Sequence, residues 1–169
     1  MSDWKRIELY ATFIKVTGEV EVIPPERLID SVNRYGDYME LRNAVTEPLG
    51  INNPVLARRD EKSAVAKASV TLALPLQPTV ESNKAMWREK VPQTVSIVTQ
   101  AYSMVCDVHL EPRRTLRDHL DRFRADFLPI TNMSALWVGS LSKETYTLQA
   151  EFALLNPSAI LSFSLREGE

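Results

Sequence analysis

The chain has 169 residues, 44% of them hydrophobic, enough for one domain or for two small ones sharing an interface. A net charge of −2 and a pI near 5.8 argue against a general polyanion-binding surface. One cysteine, Cys106, rules out an intrachain disulfide and fits a reducing compartment, and no run approaches the ~18–20 apolar residues of a membrane span. The amino terminus leads into alternating rather than continuous hydrophobicity. No signal peptide or membrane insertion is therefore expected, and a cytoplasmic location is the default.

Ile7, Leu9, Ala11 and Phe13 alternate with polar or small residues and predict one face of a strand. Val16, Val20 and Val22 continue with the opposite parity, so a bulge or tight bend is expected near Ile14 to Gly18. Pro24 and Pro25 end that strand and suit a helix entrance, where a missing N–H costs nothing. Leu28, Val32 and Tyr35 then form the apolar stripe of a short helix that Gly36 closes. A strand over Tyr38 to Thr46, a polar loop over roughly Leu49 to Ser63, and a strong strand from Ala66 to Leu74 complete the first half. The polar stretch 77–93, with Trp87 embedded, reads as a linker.

The same succession then returns. Val95 and Ile97, followed by Met104, Cys106, Val108 and Leu110, alternate as before. Leu116, Leu120 and Phe123 repeat the helical stripe, and Thr115 precedes Asp118 at the spacing of a capping interaction. Phe127 to Ser134 reads as a strand, with Pro129 pointing to an edge position or a later start. Thr145 to Leu155 and Ser158 to Leu165 are two further strands.

The recurrence extends to residue identity. Pro24 and Pro112, Leu28 and Leu116, Asp30 and Asp118, and Arg34 and Arg122 each lie 88 positions apart. Tyr38–Asn43 meets Phe127–Asn132 at 89, and Lys67–Pro75 lies over Gln149–Pro157 at 82, which makes one loop of the first copy seven residues longer. Polar identities in register with apolar ones point to duplication. The expectation is an α+β fold: two tandem copies of a small antiparallel-sheet unit, β-β-α-β-β, each with one short covering helix. The units occupy 1–76 and 94–169, joined by the 77–93 linker and related by a pseudo-twofold.

The chemistry is sparse. Asp107, His109, Asp118, His119 and Asp121 are the cluster closest to a metal set, yet they lack ligand spacing and the first copy has no histidine, so solvated charge is expected and no metal. Cys106 falls at an inward strand position, the place of an inert buried thiol. No nucleophile-elbow, Walker-type or dinucleotide pattern occurs, and the chain is read as non-enzymatic with no cofactor. Arg58, Arg59, Arg114 and Arg117 are the candidate binding residues, able to meet phosphates or an acidic partner. Glu111, Asp118, Asp121 and Asp126 interleave with the arginines of the second helix, which favours an ordinary ion-paired surface. Asn43 and Asn132 recur and are expected to cap a turn through backbone bonds, a ligand contact being the sharper alternative. Arg34 and Arg122 recur as helix-to-strand anchors.

Arg27-Leu-Ile-Asp-Ser-Val-Asn-Arg34 and Phe127-Leu-Pro-Ile-Thr-Asn132 resemble uncharacterised bacterial small-domain proteins in which an arginine-leucine helix precedes a phenylalanine-leucine-proline strand. The resemblance covers roughly 7–46 and 95–134 and implies a bacterial origin, with no assigned activity. Gly36-Asp-Tyr-Met-Glu-Leu-Arg-Asn-Ala44 is similar to the first signature of Sm-like proteins, which implies RNA binding; Glu40 stands where that signature has asparagine. The favoured reading is a non-enzymatic interaction, scaffold or regulatory module acting through protein partners, with homo-oligomerisation left open. The alternatives are an Sm-like domain binding RNA or a nucleotide, with nucleic acid disfavoured, and an enzyme with a pocket between the copies.

Overall fold

A computed structural model describes residues 1–51, 53–77, 89–139 and 146–166. The first half runs β1 (Asp3–Tyr10), β2 (Ile14–Val22), α1 (Leu28–Arg34), β3 (Tyr38–Pro48), β4 (Arg58–Ala66) and β5 (Leu72–Pro75). The second runs β6 (Val91–Thr99), β7 (Tyr102–Leu110), α2 (Leu116–Arg122), β8 (Leu128–Trp137), β9 (Thr147–Leu155) and β10 (Ile160–Leu165). All ten strands of the described residues join one sheet in the order β10-β6-β7-β8-β9-β5-β1-β2-β3-β4. Every neighbouring pair is antiparallel.

The expected α+β class is therefore corrected to a β-rich one. Each helix has only seven residues, and α2 fully buries only Leu116. So little apolar area cannot close a layer, and the sheet of the other half supplies what the helices lack. Leu72 and Ala73 of β5 pair with Leu155 and Leu154 of β9, fusing the halves edge to edge.

The expected pseudo-twofold is corrected as well. Strand order reads β5-β1-β2-β3-β4 in one half and β10-β6-β7-β8-β9 in the other, in the same direction along the sheet. A twofold would bring the same edge from both halves together; here unlike edges meet, head to tail. Successive strand residues point to opposite faces, and the strands at this junction use both. Leu154, Ala73 and Leu9 enter a core with Leu28, Ile29 and Val32 of α1. Their neighbours Leu155, Leu72 and Tyr10 enter a second core with Leu116 of α2. The two helices thus lie on opposite faces, and the central strands are buried from both.

Several local expectations change with the topology. The parity change after Phe13 comes from a hairpin turn over Ala11 to Phe13, where Ala11 N–H donates to Ile14 O at 2.9 Å, while a register shift of the β2–β3 ladder does fall at Gly18, between Thr17 and Glu19. The single strand expected over Ala66 to Leu74 is the end of β4, a 3-10 turn at Lys67–Ser69, and then β5. The matching turn is Pro157–Ala159, so Ala66 corresponds to Asn156, and Lys67–Pro75 does not lie over Gln149–Pro157. The seven-residue loop surplus disappears: residues 49–57 separate β3 from β4, and 138–146 separate β8 from β9. Pro129 sits within an interior strand, tolerated because the ladder to β7 begins only at Ile130. Of the expected linker, 78–88 and Trp87 lie outside the described residues, and Val91 already belongs to β6.

Candidate functional site

The junction between the halves is the most specifically built part of the molecule. Asn33 of α1 clamps the backbone of Phe127, accepting from its N–H at 3.0 Å and donating to its carbonyl at 3.4 Å. Lys67, 3% exposed, donates from Nζ to Tyr35 O at 2.7 Å and meets Asp126 at 2.5 Å. Buried Asn156 donates to Val70 O at 3.0 Å and Lys67 O at 3.4 Å, while its own N–H reaches Thr71 O at 3.0 Å. At the far end the β1–β2 turn is held by Tyr102, whose hydroxyl donates to Ala11 O at 3.1 Å, and by Trp137, whose indole donates to Thr12 O at 2.7 Å. Gly50, at φ 71, lets the chain pass Trp137; a Cβ there would stand 2.7 Å from the indole ring. These bonds satisfy polar groups that would be costly to bury unpaired. Asn33, Lys67 and Asn156 went unrecognised in the sequence. A lysine set between alanines at the head of an apolar run was the available signal.

The recurring asparagines mark matching β-bulges. Asn43 and Asn132 adopt φ of 50 and 49, the left-handed region that asparagine tolerates better than most residues. The ladder shifts register between Thr17 and Glu19 in one half and between Val105 and Asp107 in the other. Both side chains are exposed rather than buried, and each amide donates to a carboxylate, Glu19 at 2.9 Å and Asp107 at 2.8 Å. Their bonds therefore go to side chains where backbone groups were expected. The supporting groups differ: Arg42 bonds Glu19 at 2.7 Å and stacks over Trp4 at 3.9 Å, whereas Thr94 bonds Asp107 at 2.7 Å. The Asn43 and Arg42 bonds hold the Glu19 carboxyl below the usual carboxylate range. Arg34 pairs with Glu26, in the segment before its own helix, at 2.9 Å; Arg122 is exposed.

The four candidate binding arginines do not converge. Arg58 and Arg59 lie on β4, the last strand of the sheet, where Arg58 bonds Asp60 at 2.9 Å. Arg114 pairs with Glu111 at 2.9 Å and Arg117 faces Asp121 at 3.8 Å, around α2, which packs on β7. With strands ~4.8 Å apart, the seven steps from β7 to β4 amount to roughly 34 Å along the sheet. The acidic and histidine residues of the second half form no group able to hold a metal ion among the described residues. His109 bonds Thr131 at 2.7 Å, and burial lowers its proton affinity, as it does that of His119. Burial pushes the Cys106 thiol up to about 12, leaving it protonated and unreactive. Among the described residues no helix is long and apolar enough to cross a membrane.

What remains open are the two outer strands. On β10, Leu161 is 69% exposed, Leu165 56% and Phe163 39%. Opposite Ile97 and Val95 in the ladder, Phe163 and Leu165 face the α2 core, and among the described residues no strand lies beyond them. At the other end β4 is charged over Arg58 to Lys62 and uncharged from Ser63 to Ala66. Beside that uncharged end opens a groove of about 570 Å³ lined by Trp4, Glu40, Arg42, Lys62 and Ala64. No known family model matches this chain, and no curated protein or solved structure matches it either.

Proposed function

We propose that the protein is a bacterial interaction module, non-enzymatic, built from two copies of one unit and working through the outer edges of its sheet. One comparison carries this reading. Ala73 of β5 is fully buried because the other half stands beside it, whereas Phe163, at the matching place in β10, is left 39% exposed. Each strand of an exposed edge offers a row of unpaired backbone groups, and a large apolar side chain beside them invites another strand. Phe163 and Leu165 are already partly covered, so a pairing strand would add part of the about 1.5–3 kcal/mol that full burial of each is worth, alongside the backbone bonds of the edge. The separation of the four arginines favours a protein partner over a nucleic acid, which would need a joined cationic surface.

The test is recovery of the tagged full chain from its native cell under mild salt, beside Phe163→Asp and Arg59→Glu. A protein companion, another copy of the chain included, that is retained by the wild type and Arg59→Glu but lost by Phe163→Asp supports the reading. Recovery of the chain alone, or a companion indifferent to Phe163, overturns it.

A further inference from the structure

The molecule contains one strand junction between its halves and exposes both sides of a second. Strand order places β9 against β5, while β4, which corresponds to β9, and β10, which corresponds to β5, are left at the two ends. We propose that β10 of one copy of this chain pairs antiparallel with the uncharged end of β4 in another copy, repeating the internal junction between molecules. The inference rests on the interaction reading above and names a second copy as the occupant.

The register follows from the junction already present. There Leu72 faces Leu155 and Ala73 faces Leu154. The matching positions place Ser162 opposite Val65 and Phe163 opposite Ala64. Sizes are exchanged rather than lost: small Ala73 meets large Leu154 inside the molecule, and large Phe163 would meet small Ala64 between molecules, a swap that keeps the packed volume similar. The backbone is suited too. Asn156 N–H donates to Thr71 O across the internal junction, and Ala66 N–H and Leu161 O hold the matching places.

The groove beside β4 gives a second, independent argument. At the junction, Phe152 and Leu154 are covered by the first half's core. Their counterparts, Lys62 and Ala64, line the open groove with Trp4 and Arg42. That groove is where the incoming copy's Phe163 would be received. Charged residues from Arg58 to Lys62 discourage pairing along the rest of β4 and confine it to the last residues, which is also all that β5 uses of β9. A contact between unlike edges does not exhaust itself in a dimer; it closes into a ring or continues as a filament.

Oxidative cross-linking of the full chain tests the register. Phe163→Cys with Ala64→Cys places two thiols directly opposite, at a Cα separation of about 4.5–5.5 Å, within disulfide reach. Phe163→Cys with Asp60→Cys moves the partner four residues, about 13 Å, out of reach. Expected are covalent dimers and higher species from the first pair only. In sedimentation velocity over roughly a hundredfold concentration range, the wild type should gain mass, and Phe163→Asp should weaken that association roughly tenfold or more. A wild type of constant monomer mass, or equal cross-linking by both cysteine pairs, overturns the proposal. If self-association fails while another protein's binding still depends on Phe163, the head-to-tail inference falls and the interaction reading stands. If both fail, that reading falls with it.

Discussion

The internal junction and the outer strands occupy the same places in the two halves but carry different side chains. At β9 and β5 the contact is built from Phe152, Leu154, Leu155 and Leu72, all buried, with Asn156 closing the backbone account. At the corresponding outer positions stand Lys62, Ala64, Val65 and Ser162, with Ala66 in place of the asparagine. On the proposed pairing between copies, one strand arrangement is permanent within the molecule and reversible between molecules, the difference lying in the side chains. Backbone pairing supplies the geometry, and buried apolar area decides how long it lasts.

Four substitutions press on that contrast. Leu154→Ala should cost about 2–5 kcal/mol in denaturant unfolding, since a fully buried leucine leaves a cavity between two halves that cannot collapse independently. Phe163→Ala in dilute solution should cost less than half as much; equal losses would erase the distinction between junction and edge. Next in size, Asn156→Ala should cost about 1–3 kcal/mol, because the carbonyls of Val70 and Lys67 lose a buried donor. Ala66→Asn, at the matching outer position, should leave the unfolding midpoint unchanged.

A smaller loss than those at the junction comes from a site that touches neither junction nor edge and sets the baseline. Burial lowers the His109 proton affinity in the folded chain, so the unfolded chain takes up its proton first as pH falls. The stability that neutral His109 contributes is therefore complete above the ordinary value of 6.5 and is lost as pH drops through the lower folded value. His109→Gln should flatten the fall in urea midpoint between about pH 7 and pH 5, with the His119 contribution remaining. An unchanged slope would show that the imidazole titrates alike in both states.

The parts of the fold that announce themselves locally were readable. The stripe Leu28, Val32 and Tyr35, the end of a strand before Pro24, and Thr115 accepting from Asp118 N–H at 3.1 Å all follow from short-range spacing, although the helix itself starts only at Leu28, after Pro24 and Pro25. The recurrence of Asn43 and Asn132 drew notice, but their conformation depends on a bulge opposite Glu19 and Asp107, far along the chain. The junction was illegible for a physical reason. Phe152-Ala-Leu-Leu155 and Val70-Thr-Leu-Ala-Leu74 are buried on both faces, so they lose the alternation that identifies a face, and continuous runs do not say which neighbour covers them. The 3-10 turn at Lys67–Ser69 contains neither glycine nor proline, so two strands read as one. The twofold expectation treated the copies as self-complementary surfaces, whereas strand pairing across unlike edges leaves no signature in either edge alone.

Because Phe127, Phe152 and Leu154 complete the interior beneath α1, the early part of the polypeptide waits for the late part. A ribosome that has released the first half has released a sheet missing part of its own filling. Closure comes only once residues more than a hundred positions downstream have emerged. During that interval β5 presents the same bare side that β10 keeps in the finished protein.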